Sequence, residues 1–322
     1  MGALKNSIKE RSSIIEEAIK EYLPMGEPKE LYKASRHLIM AGGKRLRPVT
    51  AILATEAVNG DVNLVIPAAV AIETIHNFTL IHDDIMDDDL YRRGVQTVHT
   101  RWDVPTAILA GDTLFAEAFR ILTQSKSNPE RVVQAIHMLA DVCVKICEGQ
   151  HMDMSFEKMP IVKEKDYLEM IRKKTAVLYA ASSSIGPLLN DCSTKVTEKM
   201  WKFGEYVGMG FQIYDDVLDL IGSKEKLGKD WGSDILQGKK TLVMIDALNR
   251  GVNIEIYGKK SATEEEIQNA VDILKECGSV DYSLKKARQL VDKGISQLDI
   301  LEDSDAKRTL IELAEFLISR EF

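Results

Sequence analysis

One pattern occurs twice and limits what this chain can be. Residues 81–87 read Ile-His-Asp-Asp-Ile-Met-Asp, and residues 213–219 read Ile-Tyr-Asp-Asp-Val-Leu-Asp. Each copy falls near the C-terminal end of a strongly apolar stretch with helical periodicity. At about 100° per residue, Asp83 and Asp87 share one face a turn apart, and so do Asp215 and Asp219. Carboxylates at i and i+4 repel, and a helix C-terminus is already the negative end of the dipole. Such acids at the ends of apolar helices work against stability. A hard divalent cation shared among them changes the balance: Mg2+ takes oxygen ligands, keeps several waters and is commonly completed by substrate phosphates. One such motif alone reads equally as a solvated acidic helix end. Two copies, each with basic residues nearby, favour the metal. Neither has the loop glycine or terminal glutamate of an EF-hand.

The rest of the chain repeats the helical period from end to end. The spacing predicts helices over 8–22, 31–40, 48–58, 67–88, 106–123, 129–154, 165–185, 199–220, 241–249, 263–276, 282–298 and 305–319. Pro67 suits a helix first turn, Gly42 and Gly43 suit the end of the second helix, and Thr263 with Glu266 has capping-box spacing. The 67–88 helix is apolar nearly all round, which places it centrally. Gly204, Gly208 and Gly210 lower helix propensity, so close helix approach or a cavity wall is expected there. No long alternating stretch and only eight prolines occur, so the fold class is all-α. No linker divides the chain, and 1–322 reads as a single domain.

The 322 residues carry a net charge of −8, with 45 % apolar and 29 % charged residues. This excludes a disordered chain and disfavours a nucleic-acid binder, which would show a basic balance or stripe. Four cysteines form no zinc-like spacing, and a reducing, cytoplasmic setting is expected. The N-terminal Met-Gly-Ala-Leu-Lys-Asn-Ser lacks the apolar run of a signal peptide. It matches the start of a myristoylation pattern, which chance often matches. No charge-free apolar run is long enough for a transmembrane helix.

An acidic protein can still hold a diphosphate if a bound metal inverts the sign of the site. Cations sit where this needs them. Gly42-Gly43-Lys44-Arg45-Leu46-Arg47-Pro48 is a glycine turn followed by three of them. Glycines let backbone approach an anion, and arginine grips phosphate with a fork of donors. The spacing is not a Walker motif. Arg92-Arg93-Gly94 follows the first aspartate motif. His76, seven residues before Asp83, falls on the same helix face, where a packed core histidine is the alternative. Lys173-Lys174-Thr175 interrupts an apolar helix, and Lys229, Lys239 and Lys240 follow the second motif.

Together these residues resemble the trans-prenyl diphosphate synthases, which make farnesyl, geranylgeranyl and longer-chain diphosphates. The resemblance runs from about Arg36 to Met244. It also takes in Ala110-Gly111-Asp112, Glu148-Gly149-Gln150 with Asp153, Phe211-Gln212, Gly228-Lys229-Asp230 and Gly238-Lys239. It implies an isoprenoid-synthase helical bundle around a central cavity, a Mg2+ cofactor and a homodimer. It implies head-to-tail condensation of isopentenyl diphosphate with dimethylallyl, geranyl or farnesyl diphosphate. Asp83, Asp84, Asp87, Asp215, Asp216 and Asp219 form the catalytic aspartate motifs, with Asp83, Asp87, Asp215 and Asp219 as metal ligands. Arg92, Lys174, Lys229 and Lys239 contact the allylic diphosphate, whereas Lys44, Arg47, His76 and Arg93 bind isopentenyl diphosphate. Thr175 and Gln212 lie near the reacting carbons.

In that family, bulk at the positions of Phe78 and Thr79 limits product length. An aromatic five residues before the motif with a small residue next to it resembles archaeal-type geranylgeranyl synthases. A C20 product is expected, with C15 as the alternative. Plain core packing is the other reading of Phe78. A terpene cyclase would usually replace the second motif with an Asn/Ser/Glu metal motif. A non-catalytic partner subunit would lose one or both motifs, and both are intact here.

Overall fold

The computed structural model describes residues 2–222, 231–259 and 261–319. In chain order the helices are α1 (Gly2–Tyr22), α2 (Lys29–Met40), α3 (Leu46–Glu56) and α4 (Ile66–Met86). A hairpin of two two-residue strands follows, β1 (Tyr91–Arg92) and β2 (Val95–Gln96), which the sequence reading did not anticipate. Then come α5 (Val98–Arg101), α6 (Val104–Leu122), α7 (Pro129–Phe156), α8 (Glu164–Ile171), α9 (Val177–Leu189) and α10 (Thr194–Ile221). The series closes with α11 (Ser233–Gln237), α12 (Leu242–Asn249), α13 (Glu264–Glu276), α14 (Ser279–Ile295) and α15 (Asp305–Leu317). The all-α expectation holds. No helix among the described residues is long and apolar enough to cross a membrane.

The chain forms two compact units, each assembled from three segments. The first comprises 1–143, 181–201 and 300–310. Its spine is α4, in which Ala68, Ala69, Val70, Ala71, Ile72 and Ile75 are all fully buried. Many of the residues of α4 are β-branched and poor helix formers, so tertiary packing rather than propensity sustains it. Its main neighbour is α6, which offers the small buried residues Ala107, Ala110, Gly111 and Ala118. Asp103 caps α6 by accepting from Thr106 N at 2.6 Å.

The second unit comprises 144–180, 202–299 and 311–322. One cluster of its core joins Val217 and Leu220 of α10 to Val243 and Met244 of α12 and Val271 and Leu274 of α13. Another joins Phe156, Tyr167, Ile171, Ile213 and Ala287. Gly208 and Gly210 of α10 do what their low propensity implied. A Cβ on Gly208 would stand 2.7 Å from Ala176 Cα, and one on Gly210 would stand 2.8 Å from the Ala287 carbonyl. The expected capping box opens α13: Thr263 N donates to Glu266 Oε2 at 2.7 Å, and Glu266 N to Thr263 Oγ1 at 3.2 Å.

One expected helix is interrupted. The stretch from Lys165 to Ile185 is α8 and α9 joined by a π turn, Arg172–Ala176. A π turn inserts an extra residue into the i→i−4 ladder and re-aims the side chains it carries. Here it carries Lys173, Lys174 and Thr175.

Candidate active site

In the first unit the acidic motif forms the last turn of α4, with Asp87 at its C-cap. Asp83 is half-buried, Asp84 is buried and Asp87 is exposed. Asp84 accepts from Arg92 Nε, while Arg92 Nη2 donates to Asp89 Oδ2 at 3.0 Å. Burial pushes the Asp84 carboxyl up to about 6, against the pull of Arg92. The second carboxylate oxygen, Oδ2, is buried and has no hydrogen-bond partner among the described residues.

The hairpin explains how Arg92 and Arg93 come to lie here. Arg92 pairs with Val95, so Arg93 and Gly94 form a two-residue turn, and their φ values of 54° and 75° suit a primed hairpin turn. Arg93 Nη1 donates to the Gly42 carbonyl at 2.6 Å, the Leu38 carbonyl at 3.0 Å and Asn77 Oδ1 at 3.1 Å. Gly43, at φ 147°, lets this happen: a Cβ there would stand 3.3 Å from Arg93 Cζ.

Lys44 is exposed beside this glycine turn. Arg47, in the first turn of α3, donates from Nη1 to His76 Nε2 at 3.2 Å. Loss of water, with Arg47, Arg93, Arg92 and Arg45 nearby, pushes the His76 imidazole well below its ordinary range. His76 is therefore neutral at pH 7. With Nε2 accepting, Nδ1 carries the proton and remains a donor. Arg47, His76 and Arg93 thus belong to one arrangement built from the start of α3, α4 and the hairpin, and Lys44 lies on the turn that leads into α3. Thr79 Oγ1 donates to the His76 carbonyl at 2.8 Å. The Phe78 ring packs edge-on to His82 at 4.8 Å and against Phe115 of α6 at 5.3 Å.

In the second unit the acidic motif lies in the last turns of α10. Asp215 is exposed, and Asp216 and Asp219 are half-buried. Asp216 accepts from Tyr167 Oη at 2.6 Å and from Gln212 Nε2 at 2.7 Å. Burial and the neighbouring Asp234 push it up to about 8. Burial and Asp234 also push Asp219 up to about 6, and it accepts from Ser233 Oγ at 3.3 Å and Asp234 N at 3.2 Å. Thr175 Oγ1 donates to Gln212 Oε1 at 2.8 Å. Lys174 pairs with Asp153 at 2.5 Å, Lys173 with Glu148 at 2.8 Å and Lys239 with Asp234 at 3.2 Å. Gly149 allows the π turn to approach α7: a Cβ there would stand 2.3 Å from Lys174 N. Lys229 and the rest of Gly228-Lys229-Asp230 lie outside the described residues.

The donor chemistry fits Mg2+. Both motifs offer carboxylate oxygens, and those of Asp87 and Asp215 are exposed. No group of three or more acidic, histidine or cysteine side chains among the described residues is drawn together tightly enough to enclose a metal. Mg2+ does not need such a cage, since it retains waters and takes phosphate oxygens.

Sequence reasoning passed over Tyr167, Asp234, Arg45, Glu73 and Asn77. Glu73 had a signal: it is an acid in the apolar middle of α4. Arg45 stood inside the quoted glycine-basic motif, without a role. Tyr167 and Asp234 had none, because their pairing with the second motif is tertiary.

The chain matches a family model described as polyprenyl synthetase over residues 28–274. A geranylgeranyl pyrophosphate synthase of Geoglobus acetivorans is 52 % identical over 314 residues, spanning 98 % of each chain. A geranylgeranyl diphosphate synthase of Methanosarcina mazei is 51 % identical over 319 residues, spanning 99 % of this chain and 98 % of its own. The solved structure of the Geoglobus acetivorans synthetase is similar with a TM-score of 0.93 and 50 % identity, covering 97 % of this chain and 99 % of that one.

Proposed function

The chain belongs to the polyprenyl synthetase family, and from that premise we propose that it condenses isopentenyl diphosphate head to tail with allylic diphosphates, in the presence of Mg2+, and stops at geranylgeranyl diphosphate. It is a prenyltransferase. A C15 product is not favoured by its relatives, which include three geranylgeranyl diphosphate synthases at 40 % identity or more.

One observation carries the assignment of roles. In each acidic motif the second aspartate is engaged from its own unit: Asp84 by Arg92, and Asp216 by Tyr167 and Gln212. Asp87 and Asp215, by contrast, are exposed. This supports Asp87 and Asp215 as carboxylates that would hold Mg2+, with Asp84 and Asp216 fixing the frame; Asp83 and Asp219 join the metal set on the resemblance alone. When bound, the metal supplies positive charge that neutralises the departing diphosphate.

The chain's own residues do the remaining work. Arg92, Lys174 and Lys239 take oxygens of the allylic diphosphate as its C–O bond breaks and leaves an allylic cation. Lys229 completes that set on the resemblance alone. Lys44, Arg47, Arg93 and the Nδ1–H of neutral His76 hold isopentenyl diphosphate. Its double bond attacks the cation and a proton is then lost, with the released diphosphate as acceptor. Thr175 and Gln212 line the reacting carbons. Phe78, backed by Phe115, limits the length of the growing chain. The expected homodimer is supported by α6, which leaves Val104, Ile108, Leu109 and Phe115 exposed.

The test is turnover of purified protein with isopentenyl diphosphate and each allylic primer, with Mg2+ and with EDTA. Diphosphate release with at least one primer, abolished by EDTA, is the expected result. No turnover with any primer would reject the reading.

A further inference from the structure

The apolar middle of α4 carries one carboxylate, Glu73. Its side chain is 3 % exposed, as is that of Arg45, which donates from Nη1 to Glu73 Oε1 at 2.7 Å. A buried ion pair is a poor device for stability, because desolvating both charges offsets their attraction and apolar residues of similar volume serve as well. Its other contacts show what it does supply.

Arg45 stands at φ 49°, between the glycine turn and α3. Its Nη2 donates to the Ile39 carbonyl near the end of α2. One side chain thus ties α2, the 42–47 turn and α4 together. On the other side of Glu73, Asn77 donates from Nδ2 to the Glu73 carbonyl at 2.8 Å and to Oε1 at 3.1 Å. This sets the sense of the amide, so that Asn77 Oδ1 faces Arg93 Nη1 and accepts from it at 3.1 Å. With the amide reversed, an NH2 group would face the guanidinium.

We infer that Glu73 is a positioning residue for isopentenyl diphosphate: through Arg45 it fixes the turn bearing Lys44 and the start of α3 bearing Arg47, and through Asn77 it orients the acceptor that holds Arg93. Glu73 touches no substrate itself. His76 follows it by three residues on the same helix, so all four groups of the isopentenyl diphosphate set are registered to one buried carboxylate. This rests on the proposed function and adds the element that aligns those groups.

The test uses the full chain carrying Glu73→Gln, Asn77→Leu, or Arg45→Met with Glu73→Leu. For Glu73→Gln and Asn77→Leu, the KM for isopentenyl diphosphate should rise about tenfold or more, as expected for removing hydrogen bonds to charged groups. The KM for farnesyl diphosphate and kcat should change less than about twofold, which separates positioning from general loss of structure. The double apolar replacement should recover the melting temperature and keep the raised KM. An unchanged KM for isopentenyl diphosphate in Glu73→Gln would overturn the inference, as would proportional losses for both substrates. So would a double variant restored in both stability and KM. If Glu73→Gln does not fold, Asn77→Leu and the double variant decide. Calorimetry with inorganic diphosphate, without Mg2+, keeps the two claims apart. Weakened binding in Glu73→Gln supports the positioning role even if the wild type turns over no primer. Equal binding in the two proteins counts against it.

Discussion

Gln212 Nε2 donates to Asp216 Oδ1 at 2.7 Å, one turn along α10, and this fixes which end of the amide meets Thr175. With its nitrogen committed to Asp216, Gln212 presents Oε1 to Thr175 Oγ1. Tyr167 completes the frame from α8 through the other oxygen of Asp216. Tyr167→Phe removes one of two side-chain hydrogen-bond partners from the Asp216 carboxyl, in a desolvated setting. The expected result is a fall in kcat of about three- to tenfold, with smaller changes in either KM, since a hydrogen bond contributes about 0.5–1.5 kcal/mol net. Steady-state kinetics with each substrate varied in turn checks it. An unchanged kcat would show that Gln212 needs no such support.

The proposed metal ligands give a second expectation. Asp83→Asn and Asp215→Asn each remove one formal charge from a motif. Each should lower kcat by about a hundredfold or more, the scale seen when transition-state charge loses one stabilising group. Part of the loss should return as Mg2+ is raised. Asp84→Asn should behave differently, because Asp84 holds Arg92. Its main effect should be a raised KM for the allylic substrate. Mg2+ titrations of initial rate on the three variants distinguish the two patterns.

Product length is the third. Phe78 meets Phe115 at 5.3 Å, whereas Thr79 turns back onto the His76 carbonyl. Phe78→Ala should lengthen the product beyond C20, and Thr79→Phe, which places two aromatics side by side, should shorten it toward C15. Mass spectra of the dephosphorylated products report both. Identical spectra for wild type and Phe78→Ala would reassign Phe78 to plain packing.

These expectations also show what could be read from residues alone and what could not. The acidic motifs, the glycine-basic turn and the apolar character of α4 are local patterns, and each lies on its element as its spacing implied. The break at Arg172–Ala176 could not be read, because Lys and Thr at these positions are equally compatible with an unbroken α-helix. It depends on Gly149 admitting the Lys174 backbone, a contact between distant parts of the sequence. The partners of Asp216 and of Arg93 were hidden for the same reason: Tyr167, Asn77 and Glu73 join them only after helices pack. Pattern finds the residues with chemistry, and tertiary packing finds the ones that hold them.

Gly149 yields a stability expectation. A Cβ there would stand 2.3 Å from Lys174 N, a backbone atom that a rotamer change cannot relieve. Gly149→Ala should destabilise the protein by about 1–3 kcal/mol, the usual cost of overpacking, and lower kcat by displacing Lys174 and Thr175. Denaturant unfolding with parallel activity measurements tests this. A fully stable and active Gly149→Ala protein would contradict the close approach.

His76 gives a pH dependence with a definite sign. Its folded pKa lies well below its ordinary value, so the unfolded chain takes up this proton first as pH falls. Below about pH 6.5, the ordinary histidine value, that uptake favours unfolding. Wild-type stability should therefore drop from pH 7.5 to 5.5 by more than that of His76→Asn. Melting temperatures at the two pH values provide the check, and equal drops would contradict a neutral His76.

The most direct test of the proposed reaction is the mass of the product made from dimethylallyl diphosphate and excess isopentenyl diphosphate, with Mg2+, run to exhaustion. The account gives geranylgeranyl diphosphate, C20, as the main species, formed by three successive additions. A main product of C15, or no prenyl product at all, would contradict it.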